Sequence, residues 1–141
     1  MKTLRQVTSI QLNTTKQKLW DLLTLGEWTE KYMFNCRLIS SFEVGSNVDW
    51  KGVYDGKSQF LTGELLEIEP LKLLKYTLID PSMFDASNPD NFVHITYEIR
   101  EQGDKMLLTV VNETNDGNEE RMQHIVAGWE SFTFPAIEAL I

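Results

Sequence analysis

Between Asn35 and Glu113 the apolar residues recur at every second position, and beyond Asn115 they recur at every third and fourth. That change of period constrains the fold more than any other feature. A period of two requires strands with one buried face, and a period near 3.6 requires an amphipathic helix. The first stretch reads as strands near Cys36–Phe42, Asn47–Tyr54, Ser58–Ile68, Leu71–Ile79, Phe92–Arg100 and Lys105–Asn112. Between them stand Val44-Gly45-Ser46, Asp55-Gly56-Lys57, Glu69-Pro70 and Gln102-Gly103-Asp104. These are turns with a mechanism, since Gly supplies positive φ and Pro fixes φ. One connection is long, Asp80–Asn91, rich in Pro, Asp, Ser and Asn. Loops of that length in compact domains are commonly functional or mobile.

Before this stretch, Lys2–Leu12 places Leu4, Thr8, Ile10 and Leu12 on one parity and reads as a first strand. Thr14-Thr15-Lys16-Gln17 matches a capping box with Thr14 as the cap, followed by Leu19, Trp20, Leu22 and Leu23 at helical spacing. Gly26 is expected to stop this helix, and Glu27–Phe34 to form a second short one. After the strands, Glu119 and Glu120 suit the positive end of a helix. Met122, Ile125, Val126, Trp129, Phe132, Ala136, Ile137 and Leu140 then form its aromatic-rich face. Pro135 removes one hydrogen bond inside that helix, so a bend is expected near Ser131–Pro135. An antiparallel sheet with one apolar face must be covered, and only the last helix is long enough to cover it. Wrapping a twisted sheet around it leaves room for an unfilled apolar interior.

Residues 1–141 are therefore expected to form one α+β domain. The net charge of −8, with no Lys/Arg cluster, argues against nucleic acid and anionic membrane as partners. No apolar run approaches a membrane span, and Met1–Leu12 lacks the apolar core of a secretion signal. The single cysteine, Cys36, allows no internal disulfide, and a cytoplasmic location is expected. His94 and His124 stand apart without ligand spacing, so neither metal nor cofactor is expected.

The segments also carry a resemblance. Lys18-Leu19-Trp20-Asp21-Leu22-Leu23-Thr24, Tyr32-Met33-Phe34-Asn35, the hairpin from Ser41 to Gly52, the pair Gly63–Pro70 and Leu74–Thr77, and Gly128-Trp129 occur in this order along the chain. Together they resemble the family related to the activator of the heat-shock protein 90 ATPase, within the START-like superfamily that includes birch-pollen-allergen-like and polyketide-cyclase-like proteins. The resemblance implies a helix-grip fold: a curved antiparallel sheet of about seven strands, two short helices and a long C-terminal helix over an apolar cavity. The family pattern carries no shared catalytic constellation. Pro135 and the acidic loop Asp80–Asn91 depart from that pattern, where the mouth of a cavity would lie.

The resemblance implies a small hydrophobic or amphipathic ligand as partner. A co-chaperone-like protein interaction and a cyclase- or hydrolase-type enzyme are the alternatives. Candidate lining residues are Trp50 on the sheet, Trp129 and Phe132 on the closing helix, and the hydroxyls of Tyr54, Tyr76 and Tyr97. His124 flanks the helix stripe and could reach the rim as an acid or base. Glu113 ends a strand and is expected to face the closing helix; Glu64 is the other carboxylate of interest. His94, on the parity opposite Val93, Ile95 and Tyr97, is expected on the outer face. No catalytic residue is assigned.

Overall fold

The structure is a computed structural model that describes residues 3–141; Lys2, the start of the expected first strand, lies outside them. Strand β1 (Leu4–Leu12) leads into helices α1 (Lys16–Thr24) and α2 (Gly26–Thr29). Strands β2 (Arg37–Ser40), β3 (Asn47–Tyr54), β4 (Lys57–Glu69), β5 (Leu73–Leu78), β6 (Val93–Gln102) and β7 (Lys105–Thr114) follow. Helix α3 (Glu119–Gly128) runs through a π-helical turn (Trp129–Thr133) into α4 (Phe134–Glu138). The seven strands form one antiparallel sheet in the order β1-β7-β6-β5-β4-β3-β2. Consecutive strands are neighbours except that β1 crosses over to pair with β7. Helices pack on the apolar face, as two-layer architecture requires.

The alternation read from the sequence sets the register. On β6, Val93, Ile95, Tyr97 and Ile99 are buried while their neighbours lie outward. On β7 the inward set is Met106, Leu108, Val110, Asn112 and Thr114. From α1, Leu19, Leu22 and Leu23 are completely buried. Each contributes roughly 1.5–3 kcal/mol by leaving water. The β3–β4 hairpin turns at Asp55 (φ 52°) and Gly56 (φ 75°), the two positive φ values that a tight right-twisted hairpin needs.

Where β4 crosses β5, the chains come unusually close. A Cβ on Gly63 would stand 1.8 Å from the Thr77 carbonyl oxygen. Beside it Thr62 and Ile79 exchange backbone hydrogen bonds of 3.0 and 2.9 Å, and β4 bulges between Leu65 and Glu67. The bulge lets a long strand change direction and curl round the helices.

Three local expectations are corrected. Thr15, not Thr14, caps α1: its hydroxyl accepts from the Lys18 N–H at 3.1 Å. Gln17 donates to Asp21 at 2.9 Å instead of closing a capping box. Gly26 does not stop α1. Leu25 turns the chain with extended φ/ψ, and Gly26 opens α2. That second helix ends at Thr29, and the chain reaches β2 through turns in which Phe34 (φ 51°) and Asn35 (φ 62°) are left-handed. The Thr29 hydroxyl holds this corner by accepting from the Leu38 N–H at 2.9 Å and donating to the Gly26 carbonyl at 3.2 Å.

Around Ser131–Pro135, where a bend is expected, the helix takes a π-helical turn. The turn Trp129–Thr133 precedes Pro135, which follows in the first turn of α4 along a helical backbone that continues from α3. Among the described residues, no helix is long and apolar enough to cross a membrane.

Candidate cavity between sheet and closing helix

A cavity of about 890 Å³ lies between the sheet and α3. Its buried floor comes from inward-facing residues of the sheet: Trp50 on β3, Tyr76 on β5, Val93, Ile95 and Tyr97 on β6, and Asn112 on β7, with Leu61 of β4 beside Trp50 at its border. The six floor residues are buried. Trp129 forms the roof where α3 passes into the π-helical turn. The rings meet in series: Tyr76 to Tyr97 and Tyr97 to Trp129 edge to face, each at 5.6 Å, and Trp129 to Phe134 in a tilted pair at 5.5 Å. Such contacts add to the area they bury and fix ring orientation.

The mouth is polar and built by the long loop and the start of α3. Asp80, Met83 and Phe84 come from the loop; Asn118, Glu120, Gln123 and His124 come from the helix side. The loop folds on itself through the Asp80 carboxylate, which accepts from the Ser82 N–H and hydroxyl, and through the Asp85 carboxylate, which accepts from Ser87 in the same way. Those bonds hold the Asp85 carboxyl below its usual range. Arg121 ties loop to helix. Its guanidinium lies 3.8 Å from the centre of the Phe84 ring and 2.8 Å from an Asp116 carboxylate oxygen. Partial burial opposes the charge on Asp116, but the Asn118 N–H and the Arg121 guanidinium outweigh it and keep the carboxyl lowered.

Deep in the site the ionisable groups are tyrosines. Tyr76 and Tyr97 share a hydrogen bond of 2.6 Å between their hydroxyls. Burial pushes Tyr76 up to about 12, although the bonds it receives from Tyr97 and the Trp50 N–H side ease it back. The Trp50 Nε1–H is turned that way without closing a well-formed hydrogen bond. Burial also pushes Tyr97 well above its usual range, as does the proximity of Tyr76 and Tyr32. Both hydroxyls are neutral at physiological pH, so they donate and accept hydrogen bonds and do not act as bases. Two more buried polar groups matter: both side-chain atoms of Asn112 and the Thr114 hydroxyl have no hydrogen-bond partner among the described residues.

Of the residues expected from sequence to line the cavity, Trp50, Tyr76, Tyr97, His124 and Trp129 do so, His124 as an exposed residue of the rim. Three do not. Tyr54 continues the inward parity of β3 but lies past the end of the covered sheet, half exposed, with its ring 5.2 Å from that of Phe34. Phe132 is 62% exposed, because the π-helical turn shifts the phase of the helix and turns Thr133 and Phe134 inward in its place. Glu113 faces outward on β7, with Arg5 and His94 as its strand partners, and does not look at the closing helix. His94 lies on the same outer face, as expected. Glu64 is exposed on β4. Cys36 is buried, which raises its thiol above the usual range and leaves it protonated. The residue that sequence reasoning missed is Asn112. Its signal was present: a polar side chain continuing the apolar parity of Met106, Leu108 and Val110. Among the described residues, no group of His, Cys, Asp and Glu gathers to hold a metal ion.

Residues 13–141 match the family described as activator of Hsp90 ATPase homolog 1-like protein. The fold recurs in solved structures. A Cytophaga hutchinsonii protein, ChR145, is 23% identical with a TM-score of 0.76, over 93% of this chain and 90% of that one. The protein Ara h 8.0201 is 14% identical with a TM-score of 0.75, over 99% and 97%. An HSP90 activator from Plasmodium falciparum is 11% identical with a TM-score of 0.75, over 96% and 94%. At these identities the likeness is one of fold, the helix-grip fold. No curated protein sequence matches the chain.

Proposed function

The chain belongs to the activator of Hsp90 ATPase homologue 1-like family, and on that premise we propose that it binds a small hydrophobic or amphipathic molecule in the cavity between sheet and closing helix. The observation that carries this reading is the cavity itself: about 890 Å³, walled by oriented aromatic rings and entered through a polar rim. That size and lining match small-molecule sites in general. The loop that borders the mouth meets the closing helix where the Arg121 guanidinium lies over the Phe84 ring. The natural test is a ¹H–¹⁵N NMR titration with a library of lipids and aromatic natural products. Shifts are expected at the Trp50 and Trp129 indoles, at Met83 and Phe84, and at His124. A well-dispersed spectrum that none of these compounds changes would remove the reading.

A second reading, docking to a protein partner of the heat-shock ATPase kind, has its own observation. Phe34, Tyr54 and Phe132 form an exposed aromatic group, with Phe132 6.5 Å from Phe34. Exposed rings grouped in this way are typical anchors of protein interfaces. Under this reading the double variant Phe34→Ala/Phe132→Ala weakens binding to a purified Hsp90 about tenfold or more and leaves the cavity titration unaltered. Equal binding by the variant and the parent protein would count against it.

A further inference from the structure

Asn112 is completely buried, lines the cavity, and has no hydrogen-bond partner for either Oδ1 or Nδ2 among the described residues. Its place is fixed by the backbone. Asn112 pairs with Ile95 on β6, and Ile95 pairs with Tyr76 on β5, so the amide stands in one row of the floor with an isoleucine beside it. The nearby tyrosine hydroxyls are engaged with each other. A buried amide left unpaired costs stability that a leucine of similar shape would not. Such a group in a cavity wall points to a partner that arrives from the cavity.

The chemistry of that partner follows from the amide. Nδ2 offers hydrogen and Oδ1 accepts it, side by side on one planar edge. The matching group is a carbonyl next to an N–H or O–H. The charged residues that line the cavity, Asp80, Glu120 and Arg121, stand at the mouth, so nothing on the buried floor compensates an ionised head. We propose that Asn112 reads the head group of the cavity ligand, and that this ligand is a neutral molecule with an amide- or lactam-type carbonyl on an apolar body. This rests on the cavity being a binding site.

Three probes of one shape test it: 2-naphthamide, methyl 2-naphthoate and 2-isopropylnaphthalene, titrated into the whole protein by ¹H–¹⁵N NMR. After correction for octanol–water partition, the amide is expected to bind about tenfold tighter than the hydrocarbon, with the ester between them. The Asn112 side-chain NH₂ signals move downfield with amide and ester and stay in place with the hydrocarbon. In Asn112→Leu the amide loses its advantage, the hydrocarbon binds at least as well, and the unliganded protein melts about 3 °C higher or more. Equal corrected affinities in the parent protein, with shifts at Trp50 and Trp129, would overturn the role of Asn112 and leave the cavity reading standing. No shift at the cavity with any probe would remove both. Should Asn112→Leu fail to fold, the corrected affinity ratio and the NH₂ signals of the parent protein decide alone.

Discussion

Above pH 10 the protein is expected to lose stability steeply, with Tyr76 alone accounting for roughly 2 kcal/mol by pH 12. An unfolded tyrosine ionises near 10.0, whereas the buried Tyr76 hydroxyl keeps its proton to about 12. Between those values the folded state binds a proton that the unfolded state has released, so stability falls as pH rises. The contribution is fully present below pH 10 and lost by the time the folded group titrates. Tyr97 and Tyr32 act in the same direction, both raised by burial first. Tyr76 and Tyr97 share a hydrogen bond and titrate as a coupled pair, so within the folded protein their protons would leave in two steps that belong to the pair and not to either ring. The measurement is tyrosinate absorbance and far-ultraviolet circular dichroism followed together. Loss of strand signal should coincide with ionisation of the buried rings. The double variant Tyr76→Phe/Tyr97→Phe, which removes both hydroxyls and leaves neither orphaned, should keep its structure to higher pH. Ionisation of the buried pair in a still-folded protein would contradict the argument.

Gly63→Ala is expected to destabilise the protein by about 3 kcal/mol or more. The added carbon would stand 1.8 Å from the Thr77 carbonyl oxygen and 2.4 Å from its carbon, both backbone atoms that cannot rotate away. Relief requires β4 and β5 to separate where Thr62 and Ile79 exchange hydrogen bonds. Leu61 and Leu78, which stand next to this crossing, line the cavity, so its wall moves as well. Gly103→Ala is the control. Gly103 has φ +66° and open space around its Cβ position, so the change carries only the conformational cost of about 1–2 kcal/mol. Urea unfolding of the two variants separates close approach from backbone conformation. If Gly63→Ala proved no worse than Gly103→Ala, the packing argument would be wrong.

The period-two pattern and the turn residues were enough to read the strand count, their order and the covering helix, because burial of one sheet face writes itself into alternate positions. The twist of a sheet wrapped on a helix, together with family motifs spread along the chain, then implied the curvature. What escaped was local phase. Thr14 and Thr15 are equally good caps on paper, and the hydroxyl that meets the Lys18 N–H is decided by where β1 releases the chain. Phe132 was placed by counting 3.6 residues per turn through a segment that takes a wider π-helical turn. Glu113 was misjudged by one position, and one position on a strand is the opposite face. Tyr54 has the right parity, but parity says nothing of where the covering layer ends. Asn112 was legible, had the inward set of β7 been extended by two residues.

The pairing of β1 with β7 has a consequence for how the protein is made. Among the described residues β1 pairs with the strand formed last alone, with Leu4 opposite Thr114 and Leu12 opposite Met106. At ribosomal rates of roughly 5–20 residues per second, the first strand emerges about 5–20 s before its partner exists. During that interval β2 through β6 can assemble hairpin by hairpin, while β1 and α1 wait unpaired. Contacts that join the two ends of a sequence also slow refolding of the free chain. The N-terminal strand is thus the place where nascent-chain chaperones would act, and its docking beside β7 is the step that completes the sheet.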